Sequence, residues 1–416
     1  MNHSFWVDEA DAVATYVHGQ FRTAKKAEPQ GALRFVPASW QETFFSGKHG
    51  GNNHVAFSIA SRLCLSAWQR FTGSGRTTFT EWPLRVPSLL AGLGSLVALA
   101  CLLRRWGVPW LGLLAAGFMA LHPWHVRYST EARGYAIALC LLPLFLHALT
   151  DALERNRWRD WLLFACAEFL LMWTWPGVAY ALAFLNVAAA VLMLMRGDHW
   201  SLLVRWVTAS LLAAGFFISL YAPLVPQIAQ FNKTSLWMKG LPMDQIWLHN
   251  VLASPFTGIL FHQQSVGNPA EINWERLLAQ SPWLTGAGFA LIIASVAIGL
   301  TTVTWRNWRT GALIGSVFVA AAACTLHFKY GIGDEMRTWY LIFTLPCLCI
   351  CAAAGFRGIA WGISAGFPTS ISAKVNTAVL FACLALTTAS LWPMSASLVT
   401  VPSENLRGVV AATRDK

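Results

Sequence analysis

Two adjacent carboxylates stand near the start of a chain that holds few charged residues. Asp8 and Glu9 lie in the run Ser-Phe-Trp-Val-Asp-Glu-Ala, whereas only 12% of the 416 residues are charged and 56% are hydrophobic. A carboxylate at a membrane edge can accept a hydroxyl proton, bind a metal ion or stabilise a helix N-terminus. Asp8 and Asp11 can share a helix face, but no His/Cys set with metal spacing accompanies them, so a divalent metal is unsupported.

A second polar cluster occupies residues 122–135, His-Pro-Trp-His-Val-Arg-Tyr-Ser-Thr-Glu-Ala-Arg-Gly-Tyr, between two apolar runs. If a helix starts at 127, Arg127 and Glu131 share one face, while Arg133 points elsewhere and is available to a ligand. A guanidinium suits a phosphate because it donates paired hydrogen bonds and keeps its charge. Spacing alone supports a salt-bridged loop at the membrane edge equally well.

The apolar runs predict an all-α polytopic membrane protein. A helix needs about 20 apolar residues to cross a bilayer, and helices satisfy their own backbone hydrogen bonds in lipid. We expect about ten transmembrane helices, with boundaries uncertain by a few residues. They cover roughly 86–103, 108–122, 135–150, 160–174, 176–195, 202–224, 282–303, 311–327, 338–356 and 375–397.

Arginines in alternate connections predict the orientation of these spans. Loops such as the one that carries Arg104 and Arg105 face the cytoplasm by the positive-inside rule. The outer loops are then 122–135, 225–281 and 328–337 within a membrane domain 83–399, and the tail 400–416 also faces outward. The outward segment 1–82 is expected to hold two amphipathic helices, Phe5–Tyr16 and Val55–Phe71, of which the second suits the membrane interface.

Four stretches resemble the GT-C membrane glycosyltransferases of the protein O-mannosyltransferase group, which includes the bacterial lipid A aminoarabinose transferases. The stretches are Phe5–Ala10 with its Asp-Glu pair, Gly51–Ser58, Trp82–Gly92 and His122–Tyr135. A later run, Arg-Thr-Trp-Tyr-Leu from Arg337, is similar to a late Arg/Tyr motif of the group. The resemblance implies a GT-C-like helical bundle whose first outer loop carries interfacial helices.

The resemblance also implies an activity. It is the transfer of one sugar, with inversion, from a polyprenyl-phosphate carrier to an acceptor hydroxyl on the periplasmic face of a bacterial inner membrane. Asp8 aligns with the catalytic aspartate of the group and is the expected general base, and Glu9 is expected to be a supporting acid. An aspartate of ordinary pKa is already ionised at neutral pH and can take the acceptor proton.

Further residues are expected to bind the substrates. Those expected to bind the donor phosphate are Arg133, Arg127 and Arg337, and those expected to orient donor or acceptor are His54, Glu131 and Tyr128. The expected partners are the lipid-linked sugar donor, an acceptor glycan, lipid or protein, and membrane lipid. Nucleic acid is not expected, because no basic stripe lies on a soluble domain.

Two other functions fit the same sequence. A transporter or flippase of lipid-linked sugar is suggested by the number of helices and by Glu168, an acid at membrane depth. A shortened, non-catalytic homologue is suggested by the resemblance itself. The group normally carries a span before the Asp-Glu loop, where only Met1–Ser4 precede Phe5 here, and often a soluble domain after the last span.

Overall fold

The computed structural model describes residues 7–23, 33–45, 53–197, 199–234, 243–262, 272–333 and 336–400. Within these ranges the chain is helical apart from one two-stranded hairpin and its connections, so the predicted all-α polytopic class is confirmed. The helices before the middle of the chain are α1 Val7–Ala12, α2 Trp40–Phe45, α3 Val55–Thr72, α4 Glu81–Arg105, α5 Pro109–Leu121, α6 Pro123–Thr130, α7 Tyr135–Arg155, α8 Trp158–Thr174 and α9 Ala179–Leu194. The later helices are α10 His199–Tyr221, α11 Val225–Thr234, α12 Gln245–Thr257, α13 Trp274–Gln280, α14 Pro282–Arg306, α15 Trp308–His327, α16 Leu345–Ser364 and α17 Thr369–Thr400.

Eight helices of the described residues are long and apolar enough to cross a membrane. They include α4, α7, α14 and α17, and every one of them coincides with a predicted span. The remaining predicted spans, 108–122 and 160–174, are the shorter helices α5 and α8, of 13 and 17 residues. At about 1.5 Å per residue α5 reaches roughly 20 Å, less than the hydrocarbon thickness of about 30 Å.

The N-terminal segment contains both expected helices and a hairpin that was not expected. The helix predicted over Phe5–Tyr16 is α1 followed by a π-helical turn, Val13–Val17, and Phe5 itself lies outside the described residues. The helix α3 matches the predicted interfacial helix and is not among the eight span candidates. Strands β1 Gly19–Thr23 and β2 Leu33–Pro37 pair antiparallel, and their Phe21 and Phe35 rings lie 5.3 Å apart.

The segment 122–135 is a helix followed by a bend, and the helix begins at Pro123 rather than at residue 127. His122 Nδ1 accepts a hydrogen bond of 3.3 Å from the Trp124 N–H, and Pro123 occupies the first helical position. This side-chain cap and the fixed proline φ start α6 four residues early. The helix ends at Thr130, because Glu131 takes an extended conformation (φ −85°, ψ 144°).

The other two loops that were predicted to face outward also contain regular structure. The loop 225–281 contains α11, α12 and α13, and the loop 328–337 contains a π-helical turn, Phe328–Ile332.

Glu168 on α8 accepts a 2.6 Å hydrogen bond from the Asn186 amide of α9, and Asn186 accepts one of 2.8 Å from Trp206 of α10. This acid therefore lies in a polar contact that joins three helices.

Helices α14 and α16 approach each other closely through small residues. A Cβ at Gly299 would overlap the carbonyl of Cys351, and a Cβ at Gly355 would overlap the carbonyl of Ser295. Lipid tails are as apolar as side chains, so association of membrane helices depends on such close backbone packing. The contact fixes the wall of the bundle formed by α14 and α16.

We predict that Gly355→Ala lowers the thermal unfolding temperature of the purified protein, whereas Gly315→Ala does not. The added methyl at 355 meets backbone atoms that cannot move aside, at a cost of about 1–3 kcal/mol. Gly315 on α15 has no neighbouring atom within 4 Å of an added Cβ, so alanine there gains up to about 1 kcal/mol of helix propensity. Equal unfolding temperatures for the two variants would contradict the packing described.

Candidate functional site

The chain bends between α6 and α7 through residues 131–134, which we call the clamped bend. The Ala132 N–H in the bend donates a hydrogen bond to the carboxylate of Glu9, which lies on α1. The second oxygen of Glu9 lies 3.4 Å from Nη2 of Arg85, in the first turns of α4. Both charged side chains are buried, with exposed fractions of 1% and 3%. A buried carboxylate in such an ion pair fixes the position of α1 against α4 and the bend.

The next two residues of the bend are held by side chains from two further segments. Ser88 of α4 donates a 2.9 Å hydrogen bond to the Arg133 carbonyl. The Gly134 N–H donates a 2.9 Å hydrogen bond to Nδ1 of His54, the residue before α3. Each of three consecutive residues of the bend is therefore bonded by a side chain from outside it. The Arg133 side chain projects from the residue in the middle, so its Cα is held in place.

His54 is neutral in this arrangement. Because Nδ1 accepts a hydrogen bond, the proton of the ring is on Nε2. Burial holds the pKa of His54 well below its usual value, and the neighbouring Arg133 cation lowers this pKa further. A Cβ at Gly134 would lie 2.9 Å from Nδ1 of His54. Residue 134 is glycine because any larger residue would push this ring away.

Aromatic rings extend the site from His54 toward α6. The Tyr135 ring contacts His54 at a centroid distance of 4.8 Å and Tyr128 at the same distance. On the same turn of α6, Arg127 Nε lies 2.7 Å from a Glu131 oxygen. The two residues pair as their spacing of four allows, although Glu131 lies just beyond the end of α6.

The predicted site residues fall into three places. Glu9, His54 and Arg133 meet at the clamped bend, where Arg133 is buried (2% exposed) and also contacts the protein, so its binding of a donor phosphate stays a prediction. Arg337 lies on a separate segment, before the 3-10 segment Thr338–Thr344, with its guanidinium 5.9 Å from the Trp339 ring centroid. The backbone of Asp8 belongs to α1, one residue before Glu9, and its side chain lies outside the described atoms.

Of the remaining predicted residues, Arg127 and Tyr128 lie on α6 next to the bend, and Glu131 is the first residue of the bend. Sequence reasoning missed Arg85 and Ser88, which hold Glu9 and the bend. Arg85 carries a detectable signal, since a charge just inside a long apolar helix requires a partner. Among the described side chains, no group of three or more His, Cys, Asp or Glu residues could hold a metal ion.

A family model described as dolichyl-phosphate-mannose-protein mannosyltransferase matches residues 76–226, less than half of the chain. The archaeal oligosaccharyltransferase AglB from Archaeoglobus fulgidus, solved in complex with an inhibitory peptide and a dolichol-phosphate, has a similar fold, with a TM-score of 0.50 and 11% sequence identity. Residues 76–226 are thus similar to this mannosyltransferase family, and the chain shares its fold with AglB. The family match contains α4, α6 and the clamped bend, and it begins after Glu9 and His54.

The similarity in fold to AglB extends over most of the chain. The alignment with AglB covers 84% of this chain and 48% of AglB, so the chain spans less than half of that protein's length. A second structure, the Archaeoglobus fulgidus oligosaccharyltransferase tethered to an acceptor peptide containing the NVT sequon, aligns with a TM-score of 0.43 and 14% identity over 87% of this chain and 49% of that one. A comparison with curated proteins found no match.

We predict that acid destabilises the protein through His54. In the unfolded chain the pKa of His54 returns to its usual value of 6.5, so the stability that neutral His54 provides is complete above pH 6.5. It is lost as the pH falls from 6.5 toward the lowered pKa of the folded state, by up to about 1.4 kcal/mol per pH unit. The thermal unfolding temperature measured from pH 7.5 to 5 should therefore decrease below pH 6.5.

The variant His54→Gln isolates this contribution. Its amide oxygen can still accept the Gly134 hydrogen bond but cannot take up a proton, so its unfolding temperature should fall less steeply with acid than that of the wild type. The matched control is His249→Gln, at an exposed histidine of α12. Identical pH profiles for wild type and His54→Gln would contradict the buried neutral imidazole.

Proposed function

We propose that this protein is a GT-C glycosyltransferase that transfers one sugar from a polyprenyl-phosphate carrier to an acceptor hydroxyl at the membrane surface. The clamped bend is the observation that carries the proposal. It brings the acid-bearing helix α1, the neutral His54 and the buried Arg133 to one end of the bundle. A general base and a guanidinium held at one site are the groups that displacement of a sugar from a phosphate requires.

The proposed reaction is a single displacement at the anomeric carbon. The acceptor oxygen forms a bond to this carbon while the bond from the carbon to the phosphate oxygen breaks, and the bonding electrons stay on the phosphate. The proton of the acceptor passes to the Asp8 carboxylate. Attack from the face opposite the leaving phosphate inverts the sugar configuration. The carrier phosphate remains in the membrane on its lipid.

The phosphate gains charge as the sugar leaves, and Arg133 is the group proposed to stabilise it. A guanidinium in a buried site interacts more strongly with developing charge than one in water. The bend holds the backbone of Arg133 in advance, so little reorganisation accompanies the reaction. AglB, which shares the fold, was solved in complex with a dolichol-phosphate, and this supports a lipid-linked donor for the present chain.

The orientation and the partners are part of the same proposal. The clamped bend lies at the N-terminal end of α4, whereas Arg104 and Arg105 end this helix. By the positive-inside rule the site then faces the periplasm of a bacterial inner membrane. The acceptor is a glycan, a lipid or a protein whose hydroxyl reaches this face.

We predict that Asp8→Asn abolishes transfer without unfolding the protein. Loss of a general base reduces turnover by about 10²–10⁴-fold, because asparagine cannot take the acceptor proton. The measurement is release of polyprenyl phosphate and sugar transfer in membranes supplied with a panel of polyprenyl-phosphate sugars. The matched control is Asp11→Asn, at an exposed position of α1, which should retain transfer.

The same assay separates the roles of the acid pair. Glu9→Gln weakens the ion pair with Arg85, so it should lower the unfolding temperature, whereas Asp8→Asn should leave it unchanged. Full transfer by folded Asp8→Asn protein would remove Asp8 as the base. Translocation of the lipid-linked sugar without release of polyprenyl phosphate, in reconstituted wild type, would instead favour a flippase.

We predict that Arg133→Lys lowers turnover by about 10²-fold, as loss of one preorganised donor to a developing charge does. Lysine keeps the positive charge but cannot donate the paired hydrogen bonds of a guanidinium. Arg127→Lys should have a smaller effect, because Arg127 already pairs with Glu131. Steady-state kinetics with a single lipid-linked donor measures both, and equal losses would contradict a specific role for Arg133.

A further inference from the structure

A large cavity opens at the end of the bundle that is farthest from the clamped bend. It has a volume of about 890 Å³ and lies among α4, α5, α14, α15, α16 and α17. The helix α4 begins near the bend and ends at this cavity, and its 25 residues separate the two by about 37 Å at about 1.5 Å per residue. The cavity is therefore distinct from the candidate glycosyltransferase site.

The charge of the cavity is uncompensated. Arg306 and Arg357 line it, both side chains are exposed, and the described lining includes no Asp or Glu. Neither arginine makes a salt bridge or a side-chain hydrogen bond within the described part of the chain. Arg105, at the same end of the bundle, is different, because it pairs with Asp151 and Glu154 at 2.5 Å each. The bundle thus neutralises one arginine at this end and leaves two toward the cavity.

The depth of the cavity matches the headgroup region of a bilayer. Three of its lining residues are tryptophans: Trp106, Trp305 and Trp361. Indole rings prefer the boundary between the polar headgroups and the hydrocarbon. Trp305 and Trp361 are exposed, with 93% and 71% of their surface accessible, as expected of rings that face lipid. The mouth of the cavity is therefore at the membrane–water boundary rather than in the hydrocarbon centre.

The lining has both parts that a phospholipid requires. Asn376 also lines the cavity, and its buried Oδ1, which lacks a donor in the described structure, can accept a hydrogen bond from a headgroup hydroxyl. Leu103, Ile298 and Ile350 provide an apolar wall on the bundle side. A headgroup phosphate fits beside the guanidiniums, while acyl chains follow the apolar wall into the membrane.

We propose that this cavity binds an anionic phospholipid of the leaflet opposite the transfer site, through Arg306 and Arg357. Basic pockets between membrane helices bind anionic headgroups because charge attraction adds to burial of the acyl chains. By the positive-inside rule this leaflet is the cytoplasmic one. The site would secure α14–α17 in the membrane by contacts separate from those that hold the sugar donor.

The test measures binding of dye-labelled phosphatidylglycerol to the full-length protein in phosphatidylcholine nanodiscs. Fluorescence anisotropy gives the dissociation constant for wild type, Arg306→Gln, Arg357→Gln and the double variant. Each single change should weaken binding about fivefold and the double change about 25-fold, because each basic residue near an anionic headgroup contributes roughly a factor of five. Arg306→Lys with Arg357→Lys keeps the charge and should retain most of the binding.

The matched control is Arg104→Gln, an exposed arginine at the same end of α4 that does not line the cavity, and it should bind like wild type. Binding of the double variant with wild-type affinity would overturn the proposal. Competition by unlabelled phosphatidylcholine as strong as that by unlabelled phosphatidylglycerol would also overturn it. Displacement of the labelled lipid by inorganic phosphate at constant ionic strength would overturn it as well, because it would indicate a site for a free anion. The test measures lipid binding and not sugar transfer, so its outcome does not depend on whether the proposed transfer activity is found.

Discussion

No helix runs through residues 131–134, so several peptide groups there need hydrogen-bond partners from other parts of the chain. A buried peptide group without such a partner costs free energy comparable to a lost hydrogen bond. In this chain the partners are the side chains of Glu9, Ser88 and His54. The same bonds that satisfy the backbone therefore attach α1, α3 and α4 to the bend. The hydrogen bonds that the backbone of the bend needs are therefore the same ones that assemble the candidate site.

This arrangement holds the backbone of Arg133 through its carbonyl and the flanking peptide groups. The carbonyl and the flanking peptide groups are bound by neutral or anionic partners, whereas the guanidinium is the group proposed to meet substrate. His54 suits its part because burial keeps it neutral, since a protonated ring could not accept the Gly134 hydrogen bond. The positive charge of Arg133 thus favours the neutral form of His54, and a neutral His54 does not repel the Arg133 guanidinium.

The helix α4 links the two ends of the molecule. Its first turns carry Arg85 and Ser88, which hold the site, and its last turn carries Arg105, which pairs with two acids of α7. Both ends of α4 are thereby attached to neighbours through buried or half-buried polar contacts. A helix held in this way keeps the site at a constant distance from the opposite membrane surface.

The sequence predicted the membrane helices well because long apolar runs admit few other structures in lipid. Arg127 and Glu131 were also placed correctly, since a spacing of four residues brings them together on any helical turn. The hairpin β1–β2 was missed because five-residue strands with a single matched Phe21–Phe35 pair give a weak alternating signal. The roles of Arg85 and His122 were missed for a different reason. One depends on a contact 76 residues away, and the other on an imidazole that caps a helix, a task usually given to Ser, Thr, Asp or Asn.

The length of chain between Glu9 and its partners has a consequence for biosynthesis. Arg85 follows Glu9 by 76 residues and Ala132 follows it by 123. At a synthesis rate of about 5–20 residues per second, Ala132 is made roughly 6–25 s after Glu9. During this interval α1 cannot take its final place, although it has already been made. Helices α4 to α6 must be in place before Glu9 can reach its partners, so α1 is among the last parts of the site to assemble.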